Sequence, residues 1–85
     1  MIPRKVHDLK CWPDSFAAVL DGRKTVELRL NDRDYMVGDR LFLREFMPIG
    51  CQYTGRVCAV DVTHVLVGGL FGLDLDYVAL SVRLA

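Results

Sequence analysis

The chain has 85 residues, below the ~100–150 most common for a domain, and is read as a single domain. Its residues are 52% apolar and 26% charged, enough apolar surface to exclude an intrinsically disordered chain. Eleven Lys and Arg balance eleven Asp and Glu. Bulk electrostatic attraction to nucleic acid or to an anionic membrane is thereby excluded, and any such binding must come from a local patch.

A short strand at Lys5 to Leu9 opens the chain. Trp12, Phe16, Val19 and Leu20 then recur at near-helical spacing and predict a helix over 13–21. Pro13 suits its first turn, Asp14 its positive end, and Gly22 its stop. From Thr25 to Leu30 the pattern has a period of two: Val26, Leu28 and Leu30 are apolar, Thr25, Glu27 and Arg29 polar. That predicts a strand with the apolar residues on the buried face. Asn31 to Asp34 and Val37-Gly38-Asp39 are turn sequences, followed by a strand from Arg40 to Phe46. Met47 to Thr54 reads as a wide loop. Arg56 to Leu66 is a long strand with Cys58, Val60 and Val62 on one face. After the loop containing Gly68, Gly69 and Gly72, Tyr77 to Leu84 alternates again, with Val78, Leu80, Val82 and Leu84 inward.

The order β-α-β-β-β-β holds too little helix to cover a parallel sheet. The expected fold is mostly β (α+β): a small antiparallel barrel that closes its own edges, with one short N-terminal helix. No apolar run approaches the ~18 residues of a transmembrane helix. The first residues also lack the apolar core of a signal peptide, so a cytoplasmic protein is expected.

The helix ends in Gly22-Arg23-Lys24-Thr25-Val26-Glu27-Leu28-Arg29. Glu27 and Arg29 leave the same sheet face. With Lys24 they gather an acid and two bases at a helix–strand junction. Such a group can fix an anion, with Glu27 orienting a cation or reading an N–H donor. The plainer alternative is a solvated charged face holding a weak salt bridge.

Gly22, Lys24, Glu27 and Arg29 resemble the G-x-K-x-x-E-x-R signature of ASCH domains, a branch of the PUA-like superfamily. His7-Asp8-Leu9-Lys10, Asn31 to Tyr35, Val37-Gly38-Asp39, Leu43 to Phe46, Tyr53 to Arg56 and Tyr77 to Val82 are also similar to a compact bacterial and phage family of this kind. The resemblance implies a PUA-like barrel whose cleft takes RNA, a modified nucleoside or a nucleotide. It places Lys24, Glu27 and Arg29 at that pocket, with Gly22 permitting the turn and Arg33 and Tyr35 extending the rim. His7 would reach the pocket if the first strand paired beside the signature strand. One enzymatic branch deacetylates a modified cytidine with a Lys, a Thr nucleophile and a Glu. Lys24 matches its lysine, but Glu27 stands where the threonine would be, so the resemblance does not carry catalysis over.

The remaining chemistry-bearing residues have plainer readings. Cys11, Cys51 and Cys58 are odd in number, irregularly spaced and without C-x₂-C, so they are read as reduced thiols that fill space. With His7 and His64 they make no zinc pattern, and neither metal nor cofactor is expected. Asp32, Asp34 and Asp39 are read as turn residues. Trp12, Tyr35 and Tyr53 could stack on bases, although Trp12 is expected to pack where the helix begins. The expected function is an RNA- or nucleotide-binding module. A small hydrolase on a modified nucleoside or RNA, and a phage-type protein-interaction or inhibitor module, are the alternatives.

Overall fold

The computed structural model describes residues 4–85. The elements follow the expected order: β1 (Val6–Cys11), α1 (Pro13–Leu20), β2 (Val26–Leu30), β3 (Arg40–Met47), β4 (Gln52–Val67) and β5 (Tyr77–Leu84). The five strands form one sheet in the order β1-β3-β4-β5-β2. The mostly-β fold with one short helix is therefore as expected.

Two details of the barrel differ. β1 pairs with β3 in parallel, from Val6↔Arg40 to Cys11↔Glu45, whereas the other pairs are antiparallel. The sheet is thus mixed, because the helix and β2 intervene before the chain returns beside β1. The barrel also does not close: β1 and β2 are the two ends of the sheet. The sheet curls strongly enough for Arg29 on β2 to donate to the Lys10 carbonyl on β1 at 2.7 Å. The result is a half-barrel with a seam between β1 and β2, bridged by side chains instead of a backbone ladder.

The helix packs against β3. Pro13 occupies its first turn, where the missing N–H is no loss. Gly22 takes φ +82°, and its N–H donates to the Val19 carbonyl, which ends the helix and aims Lys24 at the seam. Phe16 and Val19 are buried with Leu9, Leu41, Leu43, Val60, Leu80 and their neighbours. Leu84, expected inward, is exposed near the end of β5. β4 begins four residues earlier than expected, so the wide loop is only a tight turn over 48–51. The bulge lies between Arg44 and Phe46 on β3.

β2 has the expected period but the opposite orientation. Glu27 is 3% exposed, whereas Val26, Leu28 and Leu30 lie on the outside, Leu28 at 58%. Alternation defines two faces without saying which turns inward. Here the inner face borders the seam, where Lys24 and Arg29 can neutralise a carboxylate, so the charged face is the one enclosed.

A second buried carboxylate holds the other end. Asp39 has no exposed surface and accepts from Arg4 Nε (3.0 Å), His7 Nε2 (2.9 Å) and the Met36 N–H (3.0 Å). Tyr35 is buried against the His7 ring, centroids 4.8 Å apart. Asp39 is therefore more than a turn residue. It ties the segment before β1, β1 itself and the turn before β3 together.

Candidate nucleic-acid interface

The seam gathers the charged residues of the signature. Lys24 Nζ lies 2.5 Å from Glu27 Oε1 and donates to the Val26 carbonyl at 2.7 Å. Arg29 approaches Glu27 Oε2 through Nε (3.1 Å) and Nη2 (2.8 Å), and Nη2 also reaches Lys10 O. Glu27 is thus a buried acceptor between two cations that remain partly exposed. Removed from water alone it would be costly; clamped by two charged donors it is tolerated and fixes both of them.

The cations also change the seam's polarity. The register of β2 on β5, with Val82 N–H bonded to Thr25 O and Asn31 N–H to Asp76 O, turns the N–H and C=O groups of Val26 and Leu28 toward the seam. Across it, the carbonyls of Asp8 and Lys10 accept from Arg33 Nη1 (3.0 Å) and Arg29 Nη2. The carbonyls of Val26, Asp8 and Lys10 are therefore covered by cationic heads, while the N–H groups of the same residues remain directed into the gap. With those three carbonyls covered the seam offers more donors than acceptors, which suits an anion better than a peptide strand, which needs both.

Two adjoining clefts follow this seam. One, about 440 Å³, is bounded by Trp12, Lys24, Glu27, Leu28 and Arg29, with Cys11 and Lys10 on the β1 side. The other, about 280 Å³, is bounded by Asp8, Lys10, Arg29, Arg33, Arg44 and Tyr53. Together they carry five cations against two carboxylates on a chain of zero net charge. Trp12 is 63% exposed at one lip and Tyr53 52% at the other. The expectation that Trp12 packs where the helix begins is therefore overturned: its indole is left in the open beside the pocket. A still larger cleft, about 500 Å³, lies beside Arg40, Asp61 and Arg83. There Arg40 is held by both oxygens of Asp61 at 2.8 and 3.2 Å, and two cations, Arg40 and Arg83, face one carboxylate. The seam differs in gathering five cations and two exposed aromatic rings, Trp12 and Tyr53.

Of the residues singled out from sequence, Lys24, Glu27, Arg29 and Arg33 come together here. His7 and Tyr35 do not: β1 does not pair with β2, and both rings turn into the core beside Asp39. His64 is exposed at an irregularity of β4, away from the seam. Gly22 and Gly38 both adopt positive φ, in keeping with structural roles. Lys10, Arg44 and Asp8 were not anticipated as site residues. Their signal was the alternation of Asp8 and Lys10 with buried His7, Leu9 and Cys11. Glu45 was missed as well; it is buried and accepts from Thr54 Oγ1 at 2.9 Å.

The two thiols near Glu27 are quiet. Burial, followed by the Glu27 charge, pushes Cys11 up to about 11, and burial likewise raises Cys58. Among the described residues no His, Cys, Asp and Glu cluster could hold a metal ion, and no helix is long and apolar enough to cross a membrane.

The family model described as a domain of unknown function, DUF3850, matches residues 6–82, and the chain belongs to that family. It is also 38% identical over 61 residues to an uncharacterised 12.9 kDa protein from Escherichia phage P2, described as lying in the GpA 3' region. That alignment takes in 72% of this chain and 54% of the relative, so the chain spans about half the relative's length.

Proposed function

We propose that this DUF3850 domain is a binding module for single-stranded RNA or a nucleotide, and that the seam between β1 and β2 is its binding cleft. The observation that carries the reading is the convergence of Lys24, Arg29 and seam-facing N–H donors beside an exposed Trp12. Cations and N–H groups suit phosphate, while an exposed indole offers a platform to a base. Glu27 holds the cations in place from beneath. The similarity of Gly22, Lys24, Glu27 and Arg29 to the ASCH signature supports the same assignment. A neutral chain also suits a local cleft better than a long duplex track, which favours a basic protein. Of the groups at the cleft that could act as nucleophiles, Cys11 is held protonated, Glu27 is committed to two cations, and Ser15 Oγ has no hydrogen-bonded base among the described residues. The cleft therefore binds without turnover.

The test is equilibrium binding of a short oligouridylate to the parent protein and to Trp12→Ala and Lys24→Ala. Loss of a charge-assisted contact or of a stacking platform should weaken binding by about tenfold or more. Both variants should retain the parent's circular dichroism, because both side chains are partly or largely exposed. Unchanged affinity in both would overturn the assignment.

A further inference from the structure

We propose that the outer mouth of the seam is a separate phosphate subsite, so that the ligand is a strand of two or more nucleotides and not a lone nucleotide. This rests on the cleft assignment above and extends it beyond the Lys24–Glu27–Arg29 pocket. Lys10, Arg29, Arg33 and Arg44 converge on the smaller cleft, and Lys10 and Arg29 also border the larger one. The two spaces therefore share a wall of cations, as consecutive phosphates of one strand require. The smaller space is slightly below the ~300–1,000 Å³ of a ligand pocket. It suits a phosphodiester group better than a whole nucleoside.

The cations there are prepared for an anion. Arg33 spends Nη1 on the Asp8 carbonyl at 3.0 Å and meets Asp32 only at 3.9 Å through Nε, an exposed pair, which leaves guanidinium donors for a ligand. The Lys10 ammonium sits 4.5 Å over the Phe46 ring, which in turn meets Tyr53 edge-on at 5.1 Å. Tyr53 is thereby propped open beside the cations, as a second stacking surface would be. Among the described residues that border this mouth Asp8 is the one acid, and Arg44 holds it through Nε and Nη2, each 2.8 Å from Oδ1. Both partners are about half exposed or more, so the pair is weak and exchangeable. Asp8 occupies Arg44 as a phosphate oxygen would, and an incoming strand takes over that position.

The experiment compares uridine monophosphate with tri-uridylate on the parent protein, Arg44→Ala and Asp8→Asn, with thermal unfolding as the control for folding. Tri-uridylate should bind the parent about tenfold or more tighter than the monophosphate. Arg44→Ala should erase most of that gain, weakening tri-uridylate far more than the monophosphate. Asp8→Asn removes the competing anion but keeps the carbonyl that Arg33 uses. It should tighten tri-uridylate binding by roughly two- to fivefold. Equal affinity for the two ligands, or weaker tri-uridylate binding by Asp8→Asn, would overturn the subsite while the inner pocket stands on its monophosphate affinity. If the parent binds neither ligand, the cleft assignment itself fails, and the subsite with it.

Discussion

Glu27 shows how burial and charge combine at a single residue. Its carboxylate is enclosed, yet both of its cationic partners keep partial access to solvent. Glu27→Gln preserves shape and removes the charge that clamps Lys24 and Arg29. Chemical denaturation should show a loss of about 1–3 kcal/mol, the usual cost of leaving charged donors poorly matched. A loss below ~0.5 kcal/mol would mean that the cluster behaves as an ordinary exposed surface. Cys11 reports on the same pocket. Burial and the Glu27 charge hold its thiol protonated at neutral pH, and the thiolate is the reactive form. Native-state alkylation followed by mass spectrometry should therefore label exposed Cys51 and spare Cys11 and Cys58 until the chain unfolds. Cys11 labelling as fast as Cys51 would contradict the burial of Cys11 beside Glu27.

At the scale of elements, alternation in β4 and β5 placed Cys58, Val60, Val62, Val78, Leu80 and Val82 inward, as observed. The same logic turned β2 inside out. Alternation marks two faces of β2 without saying which turns inward; Lys24 and Arg29, which make Glu27 tolerable inside, are its neighbours in sequence, but the β1 carbonyl that holds Arg29 comes from the curling of the sheet. Asp39 was equally illegible, because Arg4 and His7 reach it from 35 and 32 residues away. Its burial works to raise its pKa, but the His7 and Met36 hydrogen bonds and the Arg4 charge outweigh this and leave it lowered. A depressed folded pKa makes the Asp39 contribution complete above its unfolded value of about 3.9. That contribution is then lost as pH falls through the lower folded value. Asp61, lowered by its Arg40 hydrogen bonds, acts in the same direction. Asp39→Asn should cost about 1–3 kcal/mol near neutral pH and flatten part of the stability loss below about pH 4. An unchanged acid limb would remove Asp39 from this role. In the β4–β5 loop, a Cβ on Gly68 would lie 1.9 Å from the Asp74 carbonyl oxygen. Gly68→Ala must displace backbone, and thermal unfolding should show it about 1–3 kcal/mol less stable.

The whole molecule reconciles zero net charge with a cationic cleft. Carboxylates such as Asp61, Asp74 and Asp76 lie away from the seam, while Lys10, Lys24, Arg29, Arg33 and Arg44 border it. The mostly-β order was legible in the chain, but the seam was not, because nothing local records that β1 pairs with β3 and leaves β2 facing it. Binding through so few cations should depend only moderately on salt. Each phosphate contact to a single strand contributes about −0.7 to the log–log slope, so two to four contacts give roughly −1.4 to −2.8. A slope steeper than about −5 would require an extended basic track that the fold does not offer.

The most direct measurement is a titration of isotope-labelled protein with tri-uridylate, followed by amide and indole chemical shifts. The account predicts saturable changes at the Trp12 indole and at the backbone N–H groups of Asp8, Lys10, Val26 and Leu28. The cleft beside Arg40 and Asp61 should stay silent. Changes confined to that outer cleft, or none anywhere at low salt, would contradict the seam as the binding site.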